Sequence, residues 1–227
     1  MKQTYPLLLL LMAILISSCA PSRYVEPLEK DTFSVGGSFG GPVINFGGPI
    51  PMPITSVDVG YGLDSNLTLF GGLHTTSAIF GNGQIDLGCT YQFLKQKGAI
   101  PNVSVSPSVN MIYDFGDQVG NIWPILDLNA FWNYGERKNY FYVGMNNYFE
   151  LSRTGAHEQP QDYYWLFSPQ IGHALKGKKG HGQLITEMKY FAPYIDNFGD
   201  FVPYLPPGNT GALGFYISYR WTFGKKK

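Results

Sequence analysis

The sequence predicts an all-β fold: a single antiparallel up-and-down transmembrane β-barrel of about ten strands with a polar lumen. Three observations predict it. Large apolar residues recur with a period of two, most clearly at the C-terminal end. There Leu213, Phe215, Ile217, Tyr219, Trp221 and Phe223 alternate with Gly214, Tyr216, Ser218, Arg220 and Thr222. Charged residues make up 14% of the 227, well below the roughly 25% usual in soluble domains, while aromatics reach 16% and glycines number 28. Turn-forming residues then cut the chain into runs near or above the roughly 9–11 residues that a tilted strand needs to cross a bilayer.

Taken in order, the strands are expected at 32–46, 54–63, 67–80, 83–95, 101–115, 122–134, 139–151, 162–175, 182–195 and 211–223. In 54–63, Val57, Val59, Tyr61 and Leu63 oppose Asp58, Gly60 and Gly62. In 83–95, Ile85, Leu87, Cys89, Tyr91 and Phe93 oppose Asp86, Gly88, Thr90 and Gln92. The run 101–115 alternates less well, and Pro107 removes a ladder donor there. In 139–151 the apolar face of Phe141, Val143, Met145, Phe149 and Leu151 is interrupted by Asn147. In 182–195, Leu184, Met188 and Tyr190 oppose Glu187 and Lys189. No segment shows a helical period, so one β-domain over 32–227 is the simplest organisation.

An even strand count returns both chain ends to one side. The connections on that side are expected to be short (64–66, 95–100, 135–138, 176–181), and several on the other side longer (47–53, 115–121, 152–161, 196–210). Lys95, Lys97, Arg137, Lys138, Lys176, Lys178, Lys179 and the 225–227 lysines fall on the first side. Asp114, Asp117, Glu158, Asp162, Asp196 and Asp200 fall on the other, and Asp64, Glu136 and Arg153 break the sorting.

The N-terminus reads as a targeting segment. Lys2 precedes an apolar run from Leu7 to Ile16, too short for a spanning helix and typical of a signal-peptide core. It ends in Ile16-Ser17-Ser18-Cys19, which resembles a lipobox. The resemblance implies removal of 1–18 as a lipoprotein signal peptide and covalent lipid on Cys19, with no other cofactor. Ala20 in the next position favours, by the same resemblance, sorting to the outer membrane. Several acyl chains, at about 0.8 kcal/mol per buried methylene, make a durable anchor. Residues 19–31, with Pro21 and Pro27, are then expected to be a polar tether at the barrel rim. With Cys19 lipidated, Cys89 is left without a disulfide partner, on an apolar strand face.

Together these features resemble the small outer-membrane β-barrel proteins of Gram-negative bacteria, in lipoprotein form. Tyr219, Trp221 and Phe223 match the aromatic-ended terminal strand of that class, although Gly224 and three lysines follow it. The resemblance implies an outer-membrane location, both lipid-anchored and integral. Its expected partners are membrane lipid, the barrel-insertion machinery and the lipoprotein-sorting machinery, with an envelope protein or glycan as a further partner.

Function is read from the polar face. Alternation puts Asp58, Asp86, Asp127, Glu150, Glu187, Lys189 and Arg220 in the lumen. Buried charges need partners, so an internal salt-bridge and hydrogen-bond network is expected, with Arg220 and Lys189 neutralising carboxylates. A structural or interaction role follows. The alternatives are a narrow pore for ions or small solutes and a lipocalin-like periplasmic ligand binder with its apolar face inward. An enzyme is not expected. Gly36-Gly37-Ser38-Phe39-Gly40 matches a nucleophile-elbow pattern, but it lies within a strand with no helix behind it. His74, His157, His173 and His181 are scattered without metal-ligand spacing. His157 with Glu158 and Asp162 is the one candidate for a rim hydrolase or acyltransferase. Net charge is zero, with no basic patch for nucleic acid. In the loop 194–211, Tyr194, Phe198, Phe201 and Tyr204 among prolines are a candidate contact surface, or else a lid over the mouth.

Overall fold

The computed structural model describes residues 20–153, 161–178, 180–197 and 204–224. Cys19, Phe198, Phe201, His157, Glu158, Lys179, Asp200 and the terminal lysines lie outside the described residues.

Among the described residues eleven strands run in chain order: β1 (Phe33–Asn45), β2 (Pro49–Pro51), β3 (Thr55–Asp64), β4 (Leu67–His74), β5 (Asn82–Leu94), β6 (Asn102–Asp114), β7 (Val119–Tyr134), β8 (Asn139–Phe149), β9 (Trp165–Lys176), β10 (Gly182–Asp196) and β11 (Thr210–Phe223). Each strand from β3 onward pairs antiparallel with the next, and β1 pairs with β3. The ring closes between β1 and β11, in register from Phe33↔Phe223 to Pro42↔Gly214. Ten strands therefore form the barrel. β2 stands apart as a short hairpin on the end of β1, through Val43↔Pro51 and Asn45↔Pro49.

The two ends differ as expected. Both β1 and β11 reach the end with the short turns, called here the terminal end; the opposite end is the loop end. Two segments depart from expectation. Thr75–Ile79 forms a short helix, α1, where a continuous strand is expected. Thr75, Thr76 and Ile79 are β-branched, but the threonine hydroxyls find better partners in a turn. Thr55 N donates to Thr76 Oγ1 at 2.7 Å, and the Thr55 and Thr75 hydroxyls lie 2.7 Å apart. The connection 46–54 is not a plain loop either, because it contains β2. Its Met52 and Ile54 bury against Ile44, Phe191 and Tyr204.

The pleat sorts side chains as the period of two demands. Val57, Leu69, Leu87, Val143, Ile171, Met188 and Ile217 point outward and are exposed, as are the other large apolar residues of that face. Aromatics cluster at both ends of this band. Trp132 stacks on Phe141 and Phe33 meets Phe223 at the terminal end. Trp165, Phe167 and Tyr194 pack together at the loop end. Inside, the composition inverts: among the described residues, 28 buried polar or charged residues stand against 14 buried apolar ones. Among the described residues the lumen is thus lined mainly by polar groups, opposite to the apolar interior of a lipocalin-like barrel. Asn147, the break in the outer face of β8, is buried under Trp165, whose indole Nε1 donates to Asn147 Oδ1 at 3.1 Å.

Candidate functional site

The lumen is occupied by the chain's own N-terminal segment. Residues 20–31, expected as a tether at the rim, instead enter the barrel from the terminal end. The reversal that leads into β1 is fixed there by Thr32 Oγ1, which donates to Glu29 O at 2.6 Å, and by Asp31 N, which donates to Gly62 O at 2.9 Å. Asp31 adopts a positive φ of 60° at the turn. From Leu28 the segment rises through the lumen, and Pro21 to Val25 are buried.

The wall beneath this plug is cut to fit it. Ser34, Ser56, Gly60, Gly62, Thr68 and Gly72, from β1, β3 and β4, face it with little or no side chain. A Cβ on Gly60 would sit 2.4 Å from the Tyr24 ring, and one on Gly62 2.1 Å from Glu29 O. Backbone groups of the plug are met by wall hydroxyls: Thr90 donates to Tyr24 O at 2.8 Å, Ser104 to Val25 O at 2.7 Å, and Leu28 N donates to Thr68 Oγ1 at 2.7 Å.

Arg23 carries most of the charge contact. Its guanidinium reaches Asp86 at 2.5 Å and Ser56 Oγ at 2.8 Å, with Asp58 at 3.9 Å. His74 Nε2 lies 2.9 Å from the same Asp86 oxygen. Tyr24 is held on both faces. The Arg220 guanidinium sits 3.7 Å above its ring and Phe70 stacks at 5.7 Å, while its hydroxyl lies 2.6 Å from Ser34 Oγ. Arg220 also donates to the Arg23 carbonyl and reaches Asp58 at 3.3 Å. Near the tip, Ser22 N donates to Glu187 at 3.2 Å and Lys189 Nζ donates to Ala20 O at 2.9 Å.

Six of the seven expected lumenal charges, Asp58, Asp86, Asp127, Glu187, Lys189 and Arg220, are buried in the interior. Lys189 pairs with Glu187 at 3.5 Å, and Asp127 accepts from Asn146 at 2.5 Å. Glu150 stands apart from them. It lies one residue beyond β8 at the loop end, where it accepts from the Trp123 indole at 2.7 Å. The expected loop surface also divides. Tyr194 stacks on Phe167 on the outer wall, with 4.9 Å between ring centroids, while Tyr204 bridges to Ile44 and packs over the β1–β2 hairpin.

Residues 22 to 25 and His74 are the members of this network that strand patterning does not reveal. One signal pointed to a missing filler: the polar face of β1 reads Ser34, Gly36, Ser38 and Gly40 and that of β3 ends in Gly60 and Gly62, too small to fill a ten-stranded lumen, and the lumenal set holds more carboxylates than cations. Ser77, on α1, gives its hydroxyl to Gln84 at 2.5 Å rather than to His74. Among the described residues, no group of three or more histidine, cysteine or acidic side chains is placed to hold a metal.

No protein-family model matches the chain, and no curated protein matches it. Among solved structures, the chain is similar to the outer membrane protein OprG from Pseudomonas aeruginosa. The two share 10% identity at a TM-score of 0.34, over 88% of this chain and 100% of that one.

Proposed function

We propose that this chain is an integral β-barrel of the bacterial outer membrane with a structural or interaction role and no catalytic activity. While its N-terminal segment is seated, the lumen is closed to solutes. One observation carries the reading: a band of exposed apolar side chains, 38% exposed at Phe215 and 53% at Ile171, surrounds an interior of paired charges and hydrogen-bonded polar groups. In water such a band would be an aggregation surface, whereas in lipid it is the side chain's proper solvent. The two aromatic clusters sit where the band meets the polar interface on each side. The cationic short turns would face the periplasm.

The test is single-cysteine labelling in native membranes, in a Cys89→Ser background. Cysteines at Ile171 and Ile217 are expected to take a lipid-restricted probe and to ignore a water-soluble one. Ready aqueous labelling at both positions, with the protein recovered in the soluble fraction, would sink the reading. Lipid on Cys19 belongs to the same proposal and rests on Ile16-Ser17-Ser18-Cys19. Metabolic labelling with a fatty acid is expected to mark the wild type and not Cys19→Ala; an unmarked wild type removes the anchor from the proposal.

A further inference from the structure

We propose that the lumen is a cation pathway for which residues 20–28 are a removable plug. The inference rests on the membrane-barrel reading and goes beyond its closed state.

Three features support it. The plug is seated by reversible contacts, namely ion pairs, hydroxyl hydrogen bonds and the Tyr24 sandwich, with no covalent link to the wall. On the β1, β3 and β4 side its seat includes Ser34, Ser56, Gly60, Gly62, Thr68 and Gly72, so withdrawal leaves a groove there, beside Phe70 and the carboxylates of Asp58 and Asp86. Cavities already exist at both ends of the segment. One of about 280 Å³ opens at the terminal end beside Glu26, Lys176 and Gln183. Another of about 40 Å³ lies at the tip, beside Ala20, Asp127 and Lys189.

The sign of selectivity follows from the charges left behind. The seated Arg23 neutralises Asp86 and shares Asp58 with Arg220. Once it leaves, Asp58, Asp86, Asp127 and Glu187 face the lumen against Lys189 and Arg220. Carboxylate rings in a narrow pore favour cations.

The same geometry sets a condition for opening. Ala20 is held deep in the lumen by the buried Lys189, and Cys19 is one peptide bond before it. Residues 20–31 can span at most about 40 Å when extended. A lipid on Cys19 inserted in the leaflet at the terminal end therefore requires the segment to be drawn out of the lumen. Seating and anchoring on that side are alternatives.

The test is conductance in planar bilayers of protein purified from membranes, with the acylation of residue 19 read by mass on the same sample. Unacylated wild type is expected to be sealed and acylated wild type to conduct. Two variants open the lumen without acylation: deletion of residues 20–28, and Arg23→Glu, which sets a third carboxylate beside Asp86 and Asp58. Both are expected to conduct at least tenfold more than unacylated wild type, with cations preferred over chloride. Unacylated wild type that conducts as freely as the deletion variant overturns the plug. A deletion variant that is inserted and folded yet sealed, or that prefers anions, overturns the pathway while leaving the membrane barrel standing. Failure of the protein to stay in membranes would instead strike the barrel reading itself.

Discussion

The two halves of the barrel wall fill the same interior in opposite ways. On β1 and β3 to β6 many inward residues under the plug are glycine, serine or threonine, set around Phe70, Asp58 and Asp86, and the space above them is taken by a separate piece of chain. On β7 to β11 the inward residues include Phe131, Tyr140, Tyr142, Gln170 and Tyr216, and the wall fills the lumen itself. Val25 joins the two, packing with Phe131, Tyr140, Tyr142, Ala174 and Ile185. The difference separates two jobs. A bulky wall is filled once the barrel forms, whereas a small-residue wall relies on a separate filler that sequence places far from it.

Four substitutions break or sharpen that contrast. The largest effect is expected at the filler. Arg23→Ala leaves Asp86 buried without its arginine and Asp58 with Arg220 alone, which costs roughly 3–5 kcal/mol in the seated state. Unfolding in denaturant should show the loss, and Arg23→Ala should also expose the segment to proteases that spare it in the wild type; an unchanged midpoint would mean the groove wall stands without its filler. Next comes the outside, which both halves share. Ile171→Arg, on the apolar band, should cost about 2–4 kcal/mol in a bilayer. A loss confined to detergent-free vesicles fits a lipid-facing site, and no loss there would deny one.

Tyr142→Phe probes the bulky wall. It removes the 2.7 Å hydrogen bond to the Glu187 carboxylate and should cost about 1–3 kcal/mol, with the plug still protected from protease. Plug release by this change would show that the two walls are coupled, against the contrast drawn here. The smallest effect is expected from Trp165→Phe, which removes one donor from the covered Asn147, at roughly 1 kcal/mol by the same unfolding measurement. A loss above that of Tyr142→Phe would show that the loop-end aromatics carry more of the fold than the lumen does.

Much of the barrel was legible in the sequence because a two-residue period has a direct geometric meaning. The residues of β5, β10 and β11 sort to the two faces as their alternation predicts, and the charges at 58, 86, 127, 187, 189 and 220 fall inside. The helix α1 was not legible, since Thr75-Thr76-Ser77 suits a strand equally well until Thr55 is brought beside it. Pro107 weakened the pattern of β6 without ending the strand, because the ladder resumes on both sides of it. The plug was hidden for a different reason. Residues 20–31 have no periodicity of their own, and their structure comes from long-range contacts such as Arg23 with Asp86 and Lys189 with Ala20. Local pattern carries no record of such partners. Glu150, one residue beyond β8, keeps the inward phase of its strand and meets the buried Trp123 indole, apart from the Asp58 and Asp86 cluster.

The seam between β1 and β11 has a consequence for assembly. The first described residues of the chain lie inside a ring that its last strand closes. Two routes lead there: the segment is in place before the seam zips, or it threads a finished cylinder from the terminal end. The first route lets Arg23 find Asp58 and Asp86 while the interior is still open and wet, so no charge crosses a sealed bore alone. On that route the closing of β1 on β11 seals a bore that is already filled, and the order in which segment and seam settle becomes part of how the interior is packed.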